Sequence, residues 1–290
     1  MKLNVAVTAT HFAEQLLTDR GIKSLPIDPF ALASAEGITI QAKPDVAPGV
    51  SGMFMRVGSS FGILYATYIA NEGFQRFSVA HELGHYFLPG HIDAVLAGGS
   101  QAHTSRAGFV SDDKYENEAD HFAAGLLMPE PMFRSALIKS EDGLAGIEHL
   151  SDLCRTSLTA TAIRYAQKAT IPASIVISTG TRIDYCFMSD ALKEFRGIDW
   201  IRKGSSLPAS VLTRAFNGNA ANIADGKRDE NTADLQEWFG GPRSLEIREE
   251  VLGLGGYGKT LTVLTGDTFA DEEDEEAELQ KSWMPTFRKR

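Results

Sequence analysis

The stretch "RFSVAHELGHYFLPGH" (residues 76–91) holds three of the seven histidines in this 290-residue chain. Within it, His81-Glu82-Leu83-Gly84-His85 is an HExxH string. Residues four apart on a helix have Cβ atoms about 5–6 Å apart, so both imidazoles can reach one zinc ion at the usual ~2.0–2.1 Å. Glu82 adjoins them on the helix surface, placed to act on a water as general base without being a ligand. The spacing predicts a helix from about Asn71 to Leu88. Phe77, Ala80, Gly84, Phe87 and Leu88 fall on its apolar side, and Ser78, His81, Glu82 and His85 on or beside the other. On this reading the motif faces a cleft rather than the core. The bland alternative is two surface histidines flanking a solvated glutamate.

A catalytic zinc takes a third protein ligand and keeps one position open. His91 stands where the pattern HExxHxxGxxH would place a third histidine, but that pattern turns on a glycine where this chain has Leu88 followed by Pro89. The other candidate is Glu116 in "YENEADHFAAGLLMP". Glu116 and Asp120 are four apart and share a helix face, so one carboxylate can ligate while the other accepts the free ring N–H of a ligating histidine. Glu118 points elsewhere around that helix. This geometry, together with the resemblance given next, favours Glu116 over His91.

The two segments together, "RFSVAHELGHYFL" and "ENEADHFAAGLLMP", closely resemble the ImmA/IrrE family of bacterial and phage-associated zinc metallopeptidases. The resemblance covers about residues 55–170. It implies His81, His85 and Glu116 as zinc (Zn2+) ligands, Glu82 as catalytic base and Asp120 as the carboxylate behind a histidine. The implied activity is a zinc metalloendopeptidase in which zinc acidifies a water, Glu82 takes its proton and a peptide carbonyl is attacked. The implied partner is an XRE-type helix-turn-helix repressor, cut to release transcription under stress, DNA damage, defence or mobile-element control. Tyr65, Tyr115, His103 and His121 are candidates for the oxyanion donor. "GMFMRV" (52–57) is a candidate strand edge for an extended substrate.

The fold class expected is α+β. A zincin-like metallopeptidase domain (1–140), with a small sheet of "ITIQA", "GMFMRV" and "FGILYATY" beside the HExxH helix, leads into a helical, helix-turn-helix-like segment (141–170). From 171 to 290 the strand-like runs "SIVIS", "RIDYCFMS", "SLEIREEV" and "KTLTVLTG" predict an antiparallel sheet domain, and resemblance to longer family members makes it GAF-like. That domain is a candidate sensor for a small-molecule or nucleic-acid activator. "GLGGYGK" (253–259) lacks the spacing of a phosphate loop and reads as a hairpin. Residues 8–20 and 114–128 read as helices, and 89–113 as a loop.

Composition sets the outer bounds. No apolar run approaches the roughly 18 residues of a membrane helix, no signal-peptide pattern opens the chain, and the two cysteines form no paired motif, so the expected location is cytoplasmic, away from membranes. The net charge of −10 is concentrated: seven of the acids lie in "DEEDEEAE" (271–278), leaving −3 for the rest. An acidic chain disfavours broad nucleic-acid binding. A rival reading is a DNA-binding or ligand-sensing regulator with a structural zinc, in which "LTATAIRYAQK" would offer Arg164 and Lys168 to phosphates.

Overall fold

The computed structural model describes residues 5–44, 49–106, 113–195, 197–241 and 245–267. The chain divides into two compact units, Met1–Tyr165 and Ala166–Arg290. The acid run and the terminal "SWMPTFRKR" lie outside the described residues.

The first unit runs through α1 (Val5–Asp19), α2 (Pro29–Ala35), β1 (Thr39–Lys43), β2 (Val50–Val57), β3 (Ser60–Ala66), α3 (Glu72–Phe87), α4 (His91–Val95), β4 (Ala102–Arg106), α5 (Lys114–Leu127), α6 (Glu130–Leu137), α7 (Leu144–Cys154) and α8 (Leu158–Lys168). Its sheet has the order β1-β3-β2-β4. β1 is parallel to β3, and the other neighbours are antiparallel. α3 packs between this sheet and the helices α2 and α5. Val79, Ala80 and Leu83 of α3 share one core with Phe54 and Ile63 of the sheet, Ala13 and Leu17 of α1, and Phe122 and Leu126 of α5.

Local chemistry fixes where the two site helices begin. The Asn71 side chain accepts the Phe74 amide at 2.9 Å and starts α3. Asp113 does the same for α5, accepting the Tyr115 amide at 2.7 Å, and so puts Glu116 in the first turn. The helices then approach each other closely at Gly84, where a Cβ would stand 3.0 Å from the Ala119 Cα. A larger residue there would wedge α5 away from the histidines.

Three expectations are corrected. Residues 89–113 are not simply a loop: α4 and β4 fall within them, because Pro89 ends α3 and "AHTSR" has the alternation of a half-buried strand, with Ser105 inward and Ala102, Thr104 and Arg106 outward. β2 is consequently not a sheet edge; β4 covers it. Nor does the HExxH motif face an open cleft, since His81, Glu82 and His85 are only 5%, 0% and 0% exposed. Enclosure by the sheet and α5 buries the polar side of α3 as fully as its apolar side. The short helices α2 and α6 also went unread, each having too few residues to set up a period.

The second unit is a five-stranded antiparallel sheet of order β6-β5-β9-β8-β7. Its strands are β5 (Ala173–Thr179), β6 (Arg182–Met188), β7 (Arg228–Asp234), β8 (Glu246–Gly253) and β9 (Thr260–Thr265), with short helices α9 (Asp190–Lys193), α10 (Leu212–Asn217), α11 (Ala220–Ala224) and α12 (Leu235–Phe239). Val176, Ile183, Leu235, Trp238, Ile247 and Leu264 centre its core. "GLGGYGK" connects β8 to β9 as a hairpin, closed by the Leu254 amide donating to the Lys259 carbonyl at 2.8 Å. β7, "RDENTAD", is a polar edge strand without an apolar period, which hid it in the sequence. "LPASVLTRAF" is helical only from Leu212.

Candidate metal centre

His81 and His85 occupy consecutive turns of α3, and their Nε2 atoms lie 3.2 Å apart. Glu116 reaches over from α5, with Oε2 3.4 Å from His81 Nε2 and Oε1 3.2 Å from His85 Nε2. One ligand atom from each of these three side chains can be chosen so that all lie within 4.8 Å of one another. Two nitrogens bound tetrahedrally at ~2.0–2.1 Å would be separated by about 3.3–3.4 Å, so the spacing fits a zinc ion. A donor set of two imidazoles and one carboxylate suits zinc chemically as well.

The far side of each histidine is tied down. Asp120 Oδ1 lies 2.8 Å from His81 Nδ1. His85 Nδ1 lies 3.2 Å from His91 Nδ1, and His91 Nε2 lies 2.9 Å from Glu118 Oε2. The network assigns the protons: His81 Nδ1–H donates to Asp120, His85 Nδ1–H to His91, and His91 Nε2–H to Glu118. Both Nε2 atoms then face Glu116 and the space between, that of His85 with a free lone pair and that of His81 once it gives up its second proton. His91 therefore stands behind His85 rather than in the cluster, and Glu118 supports His91.

Of the four residues considered as oxyanion donors, only His103 arrives at the site, with Nε2 2.7 Å from Glu116 Oε1. Tyr115 packs edge-on to His91, and Tyr65 packs edge-on to Phe30 in the core region. The His121 carbonyl accepts a hydrogen bond from the Thr10 hydroxyl on α1, and burial lowers the His121 pKa. Gly52 and Ser105 went unnoticed in the sequence. Gly52 lies over the Glu82 carboxylate so closely that no Cβ fits between them. Ser105 pairs with Gly52 across β2 and β4, and "AHTSR" has no apolar period that could have announced it.

The electrostatics follow from enclosure. Burial pushes the Glu82 carboxyl up to about 7, against the pull of His81 and Ser105. Glu82 is fully buried and Ser105 is 1% exposed, so the two polar groups face each other away from solvent. Burial lowers His85 to about 4. Burial also opposes charge on His81, but hydrogen bonds to Asp120 and Glu116 outweigh it and raise that histidine to about 10. Glu116 would likewise be pushed up by burial; His103, His81 and His85 instead hold it well below the usual carboxylate range.

The surroundings test the rival reading. Arg164, offered above as a phosphate contact, is 6% exposed and donates from Nε and Nη2 to the Met128 carbonyl at 3.2 and 2.9 Å. It locks α8 to the end of α5. No helix among the described residues is long and apolar enough to cross a membrane.

Residues 33–164 match the Peptidase_M78 family, described as the IrrE N-terminal-like domain. This segment belongs to that family. The M78 match spans the whole histidine and carboxylate cluster, and it supports an ImmA/IrrE-type peptidase or regulator for this segment. None of the curated proteins matches the chain. Among solved structures, one described as a Mycobacterium tuberculosis transcriptional regulator is similar in fold, with a TM-score of 0.56 and 15% identity over 90% of this chain and 76% of that one.

Proposed function

We propose that this M78 chain is a zinc-dependent endopeptidase that cuts a specific XRE-type helix-turn-helix repressor. The observation that carries the reading is Glu82: a fully buried carboxylate next to two histidines whose Nε2 atoms converge on Glu116. A carboxylate buried this fully, and pushed up in pKa by that burial, costs stability, and a purely structural zinc site has no use for it. General-base chemistry does.

His81, His85 and Glu116 would hold the ion, and Asp120 and His91 would fix the two imidazoles. Zinc there would acidify a water and polarise the substrate carbonyl. Glu82 takes the proton from the attacking water as the C–O bond forms. It then delivers that proton to the amide nitrogen as the C–N bond breaks, so the water's oxygen ends on the new carboxyl and its proton on the new amine. A raised pKa near neutrality suits a group that must both accept and return a proton.

The resemblance to ImmA/IrrE peptidases supports a single regulatory target over general digestion. We read α7 and α8 as the helix-turn-helix-like segment, and the second unit as a GAF-like sensor whose small-molecule or nucleic-acid ligand gates cleavage. Its separate sheet and core support a self-contained module. Burial of Arg164 weakens the DNA-binding alternative. The test is Glu82→Gln against an XRE-type repressor encoded beside the gene. Zinc content should match the parent while cleavage is lost; His81→Ala, His85→Ala or Glu116→Ala should lose both. Undiminished cleavage by Glu82→Gln would refute the assignment of the base.

A further inference from the structure

Glu82 marks the place where a scissile carbonyl must arrive, and that place is taken. Its carboxylate lies directly beneath Gly52 of β2. On the side of β2 away from β3, Gly52 pairs with Ser105 of β4, whose residue is 1% exposed. Two residues along, His103 pairs with Phe54 and places its ring against Glu116. A peptide laid outside β4 would lie about 4.8 Å further from β2, too far for a carbonyl that has to come within about 3–3.5 Å of its attacking atom.

We propose that β4 is a built-in occupant of the substrate position: it holds the outer edge of β2 where an extended peptide must pair, and it has to come off before a substrate can be cut. This rests on the peptidase reading of the site. The specificity-bearing surface is then the β2 edge around Gly52 to Met55, which a substrate would join antiparallel, as β4 does, through its backbone.

The composition of β4 suits a strand that leaves. Ala102, Thr104 and Arg106 are exposed, and none of its five residues buries an apolar side chain. Among the described residues its hold consists of edge hydrogen bonds, the His103 contacts with Glu116 and the His85 ring, and Ser105 packed at Glu82. The ladder is also interrupted at its end, where the register shifts between Val50 and Gly52. Strands with few buried contacts open at lower cost than the sheet they border.

Met55 and Ala102 pair on the opposite face of the ladder from Glu82 and allow a reversible lock. The Arg56 amide donates to the Gln101 carbonyl, making Met55 and Ala102 a non-hydrogen-bonded pair, whose Cα separation of about 4.5 Å accommodates a disulfide. In the full-length, zinc-loaded M55C/A102C protein, the reduced form should cut the XRE-type repressor, and the oxidised form of the same protein should be slower by about tenfold or more. Equal rates for the two forms would overturn the inference while leaving the peptidase reading intact. If neither parent nor reduced variant cuts, the peptidase reading fails, and hydrogen exchange on the parent then decides the strand's behaviour alone. The Ala102–Arg106 amides should exchange at least about tenfold faster than those of Phe61–Tyr65 in β3. Equal protection of the two strands would show β4 to be a permanent part of the sheet and defeat the proposal.

Discussion

Asp120 Oδ1 lies 2.8 Å from His81 Nδ1, on the ring nitrogen that faces away from Glu116. This contact joins α5 to α3 one turn beyond Glu116, so one helix provides both a ligand atom and the support for another ligand. Asp120→Ala should weaken zinc binding by about 10–100-fold through loss of that support. Competition with a chromophoric chelator measures it; an unchanged affinity would remove Asp120 from the centre.

Gly52 and Gly84 supply space rather than turn geometry. Gly52→Ala puts a methyl group into the volume of the Glu82 carboxylate, so cleavage should fall steeply while zinc stays bound. Gly84→Val separates α3 from α5 at Ala119 and should cost about 1–3 kcal/mol as overpacking. Urea denaturation gives the second quantity. Together the variants separate damage to the base from damage to the helix pair.

Proton release on zinc binding is set by the two histidines. His85, lowered to about 4 by burial, is already neutral at pH 7.5, whereas His81, raised to about 10, must give up a proton to ligate. Calorimetry in buffers of different ionisation enthalpy should find about one proton released from these two groups at pH 7.5.

Acid should destabilise the metal-free unit through His85 and Glu116. His85 has a folded pKa below its ordinary 6.5, so its contribution is present above pH 6.5 and is lost as the pH falls toward about 4. Glu116, also depressed, loses its contribution below its ordinary 4.5. Glu82 opposes them: raised to about 7, it favours the protonated fold, and its effect diminishes as pH falls from about 7 to 4.5. Denaturant titrations from pH 8 to 4 should therefore show Glu82→Gln more stable than the parent at pH 8, with the advantage gone near pH 4.5.

Arg164 is a structural residue in this fold. Arg164→Ala leaves the buried Met128 carbonyl without its two donors and should cost about 1–3 kcal/mol. A loss of duplex DNA binding without loss of stability would contradict this and revive the regulator reading.

The sequence by itself determined the two helices of the centre and the identity of their polar residues. HExxH at a spacing of four, and Glu116 with Asp120 at the same spacing, specify helix faces wherever those helices pack. It also delimited the strands β5, β6, β8 and β9, whose β-branched runs between turn residues need no tertiary context. What it could not determine was enclosure. Whether the polar side of α3 meets solvent depends on which segment returns to cover it, and that segment, "AHTSR", carries no apolar signal because only Ser105 of its side chains is buried. Tertiary structure alone decided that His103 joins Glu116, that His91 sits behind His85, and that Arg164 points inward. Each of these is a contact between separate elements, His85 with His91, His103 with Glu116 and Arg164 with Met128, and packing between elements is not encoded in a local period.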